Sequence, residues 1–244
     1  MADTRYQPQT TAGAQVQIDQ GLRSYMLKVY NYMGAGLAIT GGAAYGTFHA
    51  AVDASGGLTA FGNAIFMSPL RWVLILAPLA MVMLLSFRIE KMSVSAAQLT
   101  FWAYAALVGV SFASLGLIYT AGSISQVFFI TAGTFGALSL YGYTTKRDLT
   151  GFGSFLFMGL IGLVIASLVN LYFQNSMFSL MLSAVGVLIF TGLTAWDTQQ
   201  IKNMYYEADD VATMGRKAIM GALRLYLDFI NLFLSLLRIF GNRN

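Results

Sequence analysis

Long apolar runs separated by short polar links make up most of the chain, and their lengths predict helices that cross a membrane. A helix needs about 20 apolar residues to span a bilayer. The pattern predicts an all-α membrane bundle of seven transmembrane helices over residues 26–241. Residues 1–25 are predicted to form a polar cytoplasmic tail, and residues 242–244 a short C-terminal tail. The seven segments lie at about 29–51, 69–87, 97–119, 124–144, 152–173, 177–200 and 217–241.

The seventh segment differs from the others because it carries a stripe of polar residues. Arg224, Asp228, Asn231, Ser235 and Arg238 are spaced by four, three, four and three positions, which places them on one face of a helix. A carboxylate near the middle of a membrane costs about 3 kcal/mol or more unless it faces protein or water. The stripe therefore cannot face lipid. We expect this helix to lie at the centre of the bundle, with Asp228 as its functional group and Arg224 and Asn231 supporting it.

The composition excludes an ordinary soluble domain, because only 10% of the residues are charged and soluble domains average about 25%. Cysteine is absent, which excludes disulfides, thiolate metal sites and a cysteine nucleophile. The net charge of +4 requires no nucleic-acid partner, because membrane proteins collect lysine and arginine on their cytoplasmic loops.

The basic residues predict the orientation of the chain in the membrane. With the N-terminus in the cytoplasm, ten of the 14 lysines and arginines fall on the cytoplasmic face and three on the outer face, with Arg224 inside the last helix. This bias predicts a cytoplasmic N-terminus and an external C-terminus. The outer three are Arg71, Arg238 and Arg243, and the inner ten are Arg5, Arg23, Lys28, Arg88, Lys91, Lys146, Arg147, Lys202, Arg216 and Lys217.

Of the ten acidic residues, only Asp197 and Asp228 lie in strongly hydrophobic surroundings. The sixth and seventh helices should be antiparallel neighbours, so the two carboxyl groups are expected at similar depth. Two interpretations stay open. In one, Asp228 pairs with Arg224 and Asp197 pairs with Arg88 or a helix end, and both are structural. In the other, two carboxylates that cannot both ionise cheaply form a proton-sensitive site, whose hard oxygen ligands also suit calcium.

Small residues recur every fourth position in the first segment, at Gly34, Ala38, Gly42 and Gly46. Such spacing predicts a face on which a second helix packs closely.

Three stretches of the sequence resemble the Bax inhibitor-1 family, the transmembrane Bax-inhibitor-motif proteins. LTAWDTQQIK at 193–202 and LYLDFINLFLSLLRIFG at 225–241 resemble the C-terminal signature of that family, and GYTTKRDLTGFGSFLFMGLIGLVIASLVN resembles its fourth-to-fifth helix region. The resemblance implies seven helices, with the last surrounded by the other six. It also implies a pH-dependent calcium leak gated by an aspartate pair, which corresponds here to Asp197 and Asp228. Arg88 would act as a latch against Asp197.

Further expectations follow from this resemblance. Asp197 and Asp228 are the expected metal ligands, with calcium as the transported or regulatory ion and no tightly bound cofactor. The expected partners are the lipid bilayer, calcium and protons, and the expected location is the inner (plasma) membrane of a bacterium. Some bacterial relatives carry an acidic residue within the second helix. Residues 72–87 contain none, and Glu90 is not an obvious substitute.

Membrane enzymes are disfavoured because their motifs are missing. An intramembrane aspartyl protease needs GxGD, whereas the sequence before and at Asp228 reads LYLD. A serine rhomboid needs a serine motif to pair with its histidine, and His49 has none. A retinal protein needs a lysine between Ala218 and Gly241, and none is present. We therefore expect no enzymatic activity. The remaining alternative to transport is a membrane regulator that binds a protease or quality-control partner.

Overall fold

A computed structural model gives the structure of residues 10–244, with side chains described from residue 20 onward. All of its regular structure in this range is helical, which confirms the all-α prediction. Besides α-helices, this range contains a 3₁₀ turn, Ile89–Lys91. The helices are α1 (Thr10–Ala51), α2 (Ala60–Phe66), α3 (Leu70–Arg88), α4 (Val94–Phe112), α5 (Leu115–Ile118), α6 (Ala121–Thr144), α7 (Thr150–Phe173), α8 (Ser176–Asn203) and α9 (Val211–Phe240).

The predicted N-terminal tail, residues 1–25, is only partly covered. Residues 1–9, which include Arg5, lie outside the described residues. From Thr10 onward the chain is helical without interruption to Ala51, so one helix runs from the predicted tail into the predicted membrane domain. The domain boundaries at 25 and 241 stay predictions.

Six helical stretches in residues 10–244 are long and apolar enough to cross a membrane, one fewer than the sequence predicts. They coincide with the second to seventh predicted segments. The first predicted segment forms part of α1 but does not reach the same apolarity, because glycine, tyrosine and threonine dilute its apolar side chains. The six are Leu70–Lys91, Val94–Ile118, Ala121–Thr144, Thr150–Phe173, Ser176–Asn203 and Val211–Phe240.

The last helix is the most buried of the six candidate spans. In α9, 67% of the residues in the apolar window are buried, compared with 11–33% in the other five. It packs against α1, α4, α6 and α8. Its side chain Tyr226 is fully buried, and its hydroxyl lies 2.7 Å from Thr40 Oγ1. Thr40 in turn donates to the carbonyl oxygen of Ala105 at 2.9 Å, so one chain of hydrogen bonds ties α1, α4 and α9 together.

The predicted face of small residues on α1 is not where the helices approach closely. A Cβ atom at Gly34, Gly42 or Gly46 would meet nothing within 4 Å, whereas one at Gly36 would lie 2.8 Å from the ring of Phe101. The buried face of α1 instead consists of residues that are alternately three and four positions apart. That face consists of Met26, Val29, Met33, Gly36 and Thr40.

Hydroxyl groups also connect α1, α6 and α8. Tyr30 OH lies 2.6 Å from Ser139 Oγ, which lies 2.9 Å from Thr198 Oγ1. Thr198 donates its single proton to the carbonyl oxygen of Thr194 at 2.7 Å. Because a hydroxyl has only one proton to donate, the chain runs in one direction, from α1 through α6 to α8. These hydrogen bonds fix the position of α8 at Thr198, the residue next to Asp197.

The short link between α8 and α9 is held by charged side chains. Lys217 Nζ lies 2.5 Å from Asp209 Oδ2 and donates to the carbonyl oxygen of Met204 at 3.0 Å. Asp210 caps α9, accepting from the Thr213 backbone N–H at 2.6 Å. Hydrogen bonding by Thr213 keeps the pKa of Asp210 below its ordinary value, so the cap is charged at neutral pH. These contacts hold α8 and α9 antiparallel.

Packing at Gly36 generates the first testable prediction. Gly36→Leu forces the Phe101 and Tyr226 rings to move, and overpacking of this kind typically costs about 1–3 kcal/mol. Gly34→Leu, on the open side of the same helix, is the matched control. We expect a lower melting temperature in detergent for Gly36→Leu and little change for Gly34→Leu. Equal melting temperatures for the two variants would contradict this account of the α1 interface.

Candidate functional site

Antiparallel packing of α8 and α9 brings Asp197 and Asp228 together. Gly221 on α9 faces Ile201 on α8, and Gly186 on α8 faces Ser235 on α9, so the two aspartates lie between these two levels. Both side chains line the same cavity, and Arg224, one turn from Asp228 on α9, lies 3.7 Å from Asp197 Oδ1, so the two carboxyl groups are neighbours. Carboxylates only accept hydrogen bonds. A hydrogen bond between the two groups therefore requires one proton on the pair.

Asp228 is almost completely buried, with 5% of its surface exposed. Its Oδ2 atom is buried and has no hydrogen-bond partner among the described residues. Asp197 is slightly more open, with 13% of its side chain exposed. Leaving a buried acceptor unsatisfied is costly, more so for a charged group. The site thus favours something that the side chains do not supply, such as a proton, water or a cation.

Arg224 pairs with Asp197 across the helix interface rather than with Asp228 on its own helix. Its Nη1 lies 3.7 Å from Asp197 Oδ1, and 44% of its side chain is exposed. The hypothesis that Arg224 pairs with Asp228 is therefore not what the geometry shows. Helical side chains point back toward the helix N-terminus. The long Arg224 side chain accordingly points away from Asp228, which lies one turn toward the C-terminus.

Arg88, the expected latch, is not paired with Asp197 in the described part of the chain. It is exposed at the end of α3, and α3 packs against α4. Within residues 20–244, Arg88 takes part in no ion pair. The cation beside Asp197 is Arg224. Glu90 is likewise exposed, in the 3₁₀ turn that follows α3.

The polar stripe of α9 faces a cavity of about 790 Å³, whose walls come from α7, α8 and α9. Asn231 donates from Nδ2 to the carbonyl oxygen of Leu227 at 2.8 Å, which leaves its Oδ1 as an acceptor. Ser235 donates to the carbonyl oxygen of Asn231 at 2.8 Å. All five stripe residues, Arg224, Asp228, Asn231, Ser235 and Arg238, line the cavity, as does Asp197.

As a metal site, this arrangement is sparse. Within residues 20–244 there is no group of three or more histidine, aspartate or glutamate side chains that could hold a metal ion. Asp197 and Asp228 provide two carboxylates, and the Asn231 amide lines the same cavity. Calcium takes six to eight oxygen ligands. A calcium ion at this position would therefore keep most of its water and bind weakly.

Sequence reasoning did not predict that α7 forms one wall of this cavity. The α7 lining is mainly apolar and includes Phe157, Val164 and Leu168. The signal available in the sequence was weak. It consisted of Ser167 and Asn170, three residues apart near the C-terminal end of an otherwise apolar helix.

Comparisons with known proteins agree with a membrane protein of one family. A family model described as "Inhibitor of apoptosis-promoting Bax1" matches residues 22–244. The inner membrane protein YbhL of Escherichia coli is 48% identical over 230 residues, which cover 93% of this chain and 95% of YbhL.

Two further relatives come from other bacteria. An uncharacterized protein of Rickettsia prowazekii is 47% identical over 234 residues, 96% of each chain. An uncharacterized membrane protein of Streptococcus pyogenes is 36% identical over 242 residues, covering 93% of this chain and 96% of that protein. Since the family model and these relatives span nearly the whole chain, the chain is a membrane protein that belongs to the Bax inhibitor family.

Proposed function

We propose that this protein is a pH-sensitive calcium leak channel or transporter, gated by Asp197 and Asp228 between α8 and α9. The observation that carries the proposal is the buried Oδ2 of Asp228, which has no hydrogen-bond partner within residues 20–244. A second, partly buried carboxyl group, that of Asp197, lines the same cavity. A single pair of groups of this kind can exchange a proton for a cation.

Charge counting explains the sensitivity to pH. Arg224 neutralises one carboxylate, through its ion pair with Asp197. When Asp228 holds a proton, the cluster of three side chains is neutral and the two helices can stay in contact. When Asp228 loses it, two like charges about 4 Å apart repel by about 4 kcal/mol at an effective dielectric of 20. Either α8 and α9 separate or a cation enters.

The site is suited to a calcium ion that binds weakly and passes through, rather than to one that stays bound. Conduction requires binding that is strong enough for entry and weak enough for release. Two carboxylates and an amide oxygen meet only part of the coordination that calcium demands. Cation and proton also compete for the same oxygens, so calcium binding should release the proton from the pair.

We also propose that α1 crosses the membrane, which makes seven spans with α9 at the centre, packed against α1, α4, α6 and α8. At 42 residues, α1 is about 63 Å long, twice the thickness of the hydrocarbon core. It packs against α4 and α9, which supports a place inside the bundle. With the excess of basic residues on one side, the N-terminus lies in the cytoplasm of a bacterial cell and the C-terminus outside.

A second candidate function is a non-transporting regulator of a membrane protease or quality-control partner. The specific observation in its favour is the lack of an acidic residue in 72–87, where some relatives of this family carry one. A conducting path would then lack a carboxylate on that side. Calcium flux separates the two functions, because a regulator that does not transport gives none.

The proposed orientation predicts the activity of reporters fused to the two termini. An enzyme that is active only outside the cytoplasm should work when fused after Asn244 and stay inactive when fused before Met1. A cytoplasmic reporter should behave in the opposite way. If both ends report the cytoplasm, the chain crosses the membrane an even number of times and the seven-span proposal is wrong.

The ion pair predicts a coupling between Arg224 and Asp197. Arg224→Ala should lower the melting temperature, and Arg224→Lys should lower it less. In an Asp197→Asn background the loss caused by Arg224→Ala should largely disappear, whereas in an Asp228→Asn background it should persist. Double-mutant cycles of melting temperature measure this directly, since only residues in contact couple strongly. Coupling to Asp228 instead of Asp197 would refute the cross-helix pair.

The carboxylate pair predicts how calcium flux depends on pH. In proteoliposomes between about pH 6 and pH 8, flux through the wild type should rise as the pH rises, because loss of the proton from the pair leaves two like charges between α8 and α9. Asp197→Asn and Asp228→Asn should each flatten the dependence, and the double variant should add little.

Glu207→Gln is the matched control, since Glu207 is exposed in the link between α8 and α9. It should behave as wild type. Unchanged pH dependence in both single variants would rule out gating by the pair, and absent flux in the wild type would favour the regulator.

A further inference from the structure

A second cavity, of about 850 Å³, adjoins the first at the C-terminal end of α9. The two cavities share Ser167, Leu171, Leu182 and Arg238, so they form one continuous groove beside α7. The second cavity is also lined by Arg243, and none of its lining residues within 20–244 is acidic. This end of the groove is therefore positively charged.

The two arginines are available to bind an anion. Arg238 and Arg243 are both exposed, and neither takes part in an ion pair within residues 20–244. The chain around Arg243 is held in place, because Asn244 N donates to the carbonyl oxygen of Ile118 at 3.0 Å. Guanidinium groups match the geometry of phosphate oxygens and bind them with paired hydrogen bonds. The end of an apolar helix is also where the headgroup region of a bilayer begins.

The rest of the groove suits an acyl chain. From Arg238 it extends along α9 to Asp228, ten residues or about 15 Å away, which is half the thickness of the hydrocarbon core. The α7 wall carries large apolar side chains that point outward, with Val164, Leu168 and Leu171 exposed by 52%, 64% and 66%. A free phosphate ion would use the arginines and leave this wall uncovered.

We propose that the groove beside α7 binds an anionic phospholipid. Arg238 and Arg243 hold the phosphate of its headgroup, and one acyl chain lies along Val164, Leu168 and Leu171 with its end near Asp228. The chain end keeps water away from that part of the cavity. This inference does not depend on calcium transport, because the binding follows from the arginines and the apolar wall alone.

Native mass spectrometry of the detergent-purified full chain tests the headgroup contact. Phosphatidylglycerol and phosphatidylcholine with identical acyl chains are added in separate titrations. The wild type should retain phosphatidylglycerol about tenfold better. The double variant with glutamine at both positions, Arg238→Gln/Arg243→Gln, should lose this preference. The double variant with lysine at both positions, Arg238→Lys/Arg243→Lys, should keep part of it. Arg71→Gln is the matched control, an exposed arginine in the first turn of α3, and should keep the full preference. Equal retention of both lipids by the wild type, or equal losses in the Arg71 and double variants, would overturn the proposal.

A second measurement separates a lipid from a free anion. Leu168→Trp fills the groove and should reduce retention of phosphatidylglycerol, whereas Leu188→Trp, on an exposed face of α8 outside the groove, should not. Inorganic phosphate at millimolar concentration should fail to displace the lipid. Displacement by phosphate, or equal effects of the two tryptophan variants, would show that the acyl chain contributes nothing and that the lipid assignment is wrong.

Discussion

The burial of Asp228 is the constraint on which the arrangement of the other helices depends. A carboxyl group with 5% exposure in the middle of an apolar helix cannot face hydrocarbon without a large energetic cost. The helix that carries it must therefore be covered by protein, and α1, α4, α6 and α8 pack around α9. The side of α9 that remains open carries the polar stripe and faces the cavity. Architecture and site thus have the same physical cause.

The rotation of α9 about its axis is set on the side opposite the aspartate pair. Tyr226 and Asp228 are two residues apart, about 200° around the helix. The hydrogen bond from Tyr226 to Thr40, together with that from Thr40 to the carbonyl oxygen of Ala105, fixes Tyr226 against α1 and α4. Asp228 is thereby directed toward α8. On α8, the hydroxyl chain that ends at Thr198 fixes the backbone next to Asp197. Hydrogen bonds that do not involve the carboxyl groups thus bring those groups together.

Sequence reasoning found the six apolar spans, with limits that differ by up to six residues, and it found the stripe on α9. Both succeeded because hydropathy and helical periodicity depend on one segment at a time. It failed where the answer depends on which neighbour a face meets. The spacing predicted an ion pair between Arg224 and Asp228, but the direction of the Arg224 side chain places its guanidinium group beside Asp197. Small residues mark two faces of α1, and only contact with Phe101 distinguishes Gly36 from Gly34. Arg88 was assigned by resemblance, which carries no information on how α3 packs in this chain.

One arginine beside two ionised carboxyl groups leaves a net charge of −1, so the cluster is neutral only when a proton or a cation is added. Arg224 balances Asp197, so the charge state of the whole cluster depends on whether Asp228 holds a proton or a cation. The strength of that dependence varies inversely with the local dielectric. Water in the cavity weakens it, and an acyl chain in the groove strengthens it by excluding water. Because Arg238 lies on the same stripe as Asp228 and lines both cavities, lipid and proton would act on a single side of α9. The composition of the membrane would then set how sharply the pair responds to pH, with no change in the pair itself.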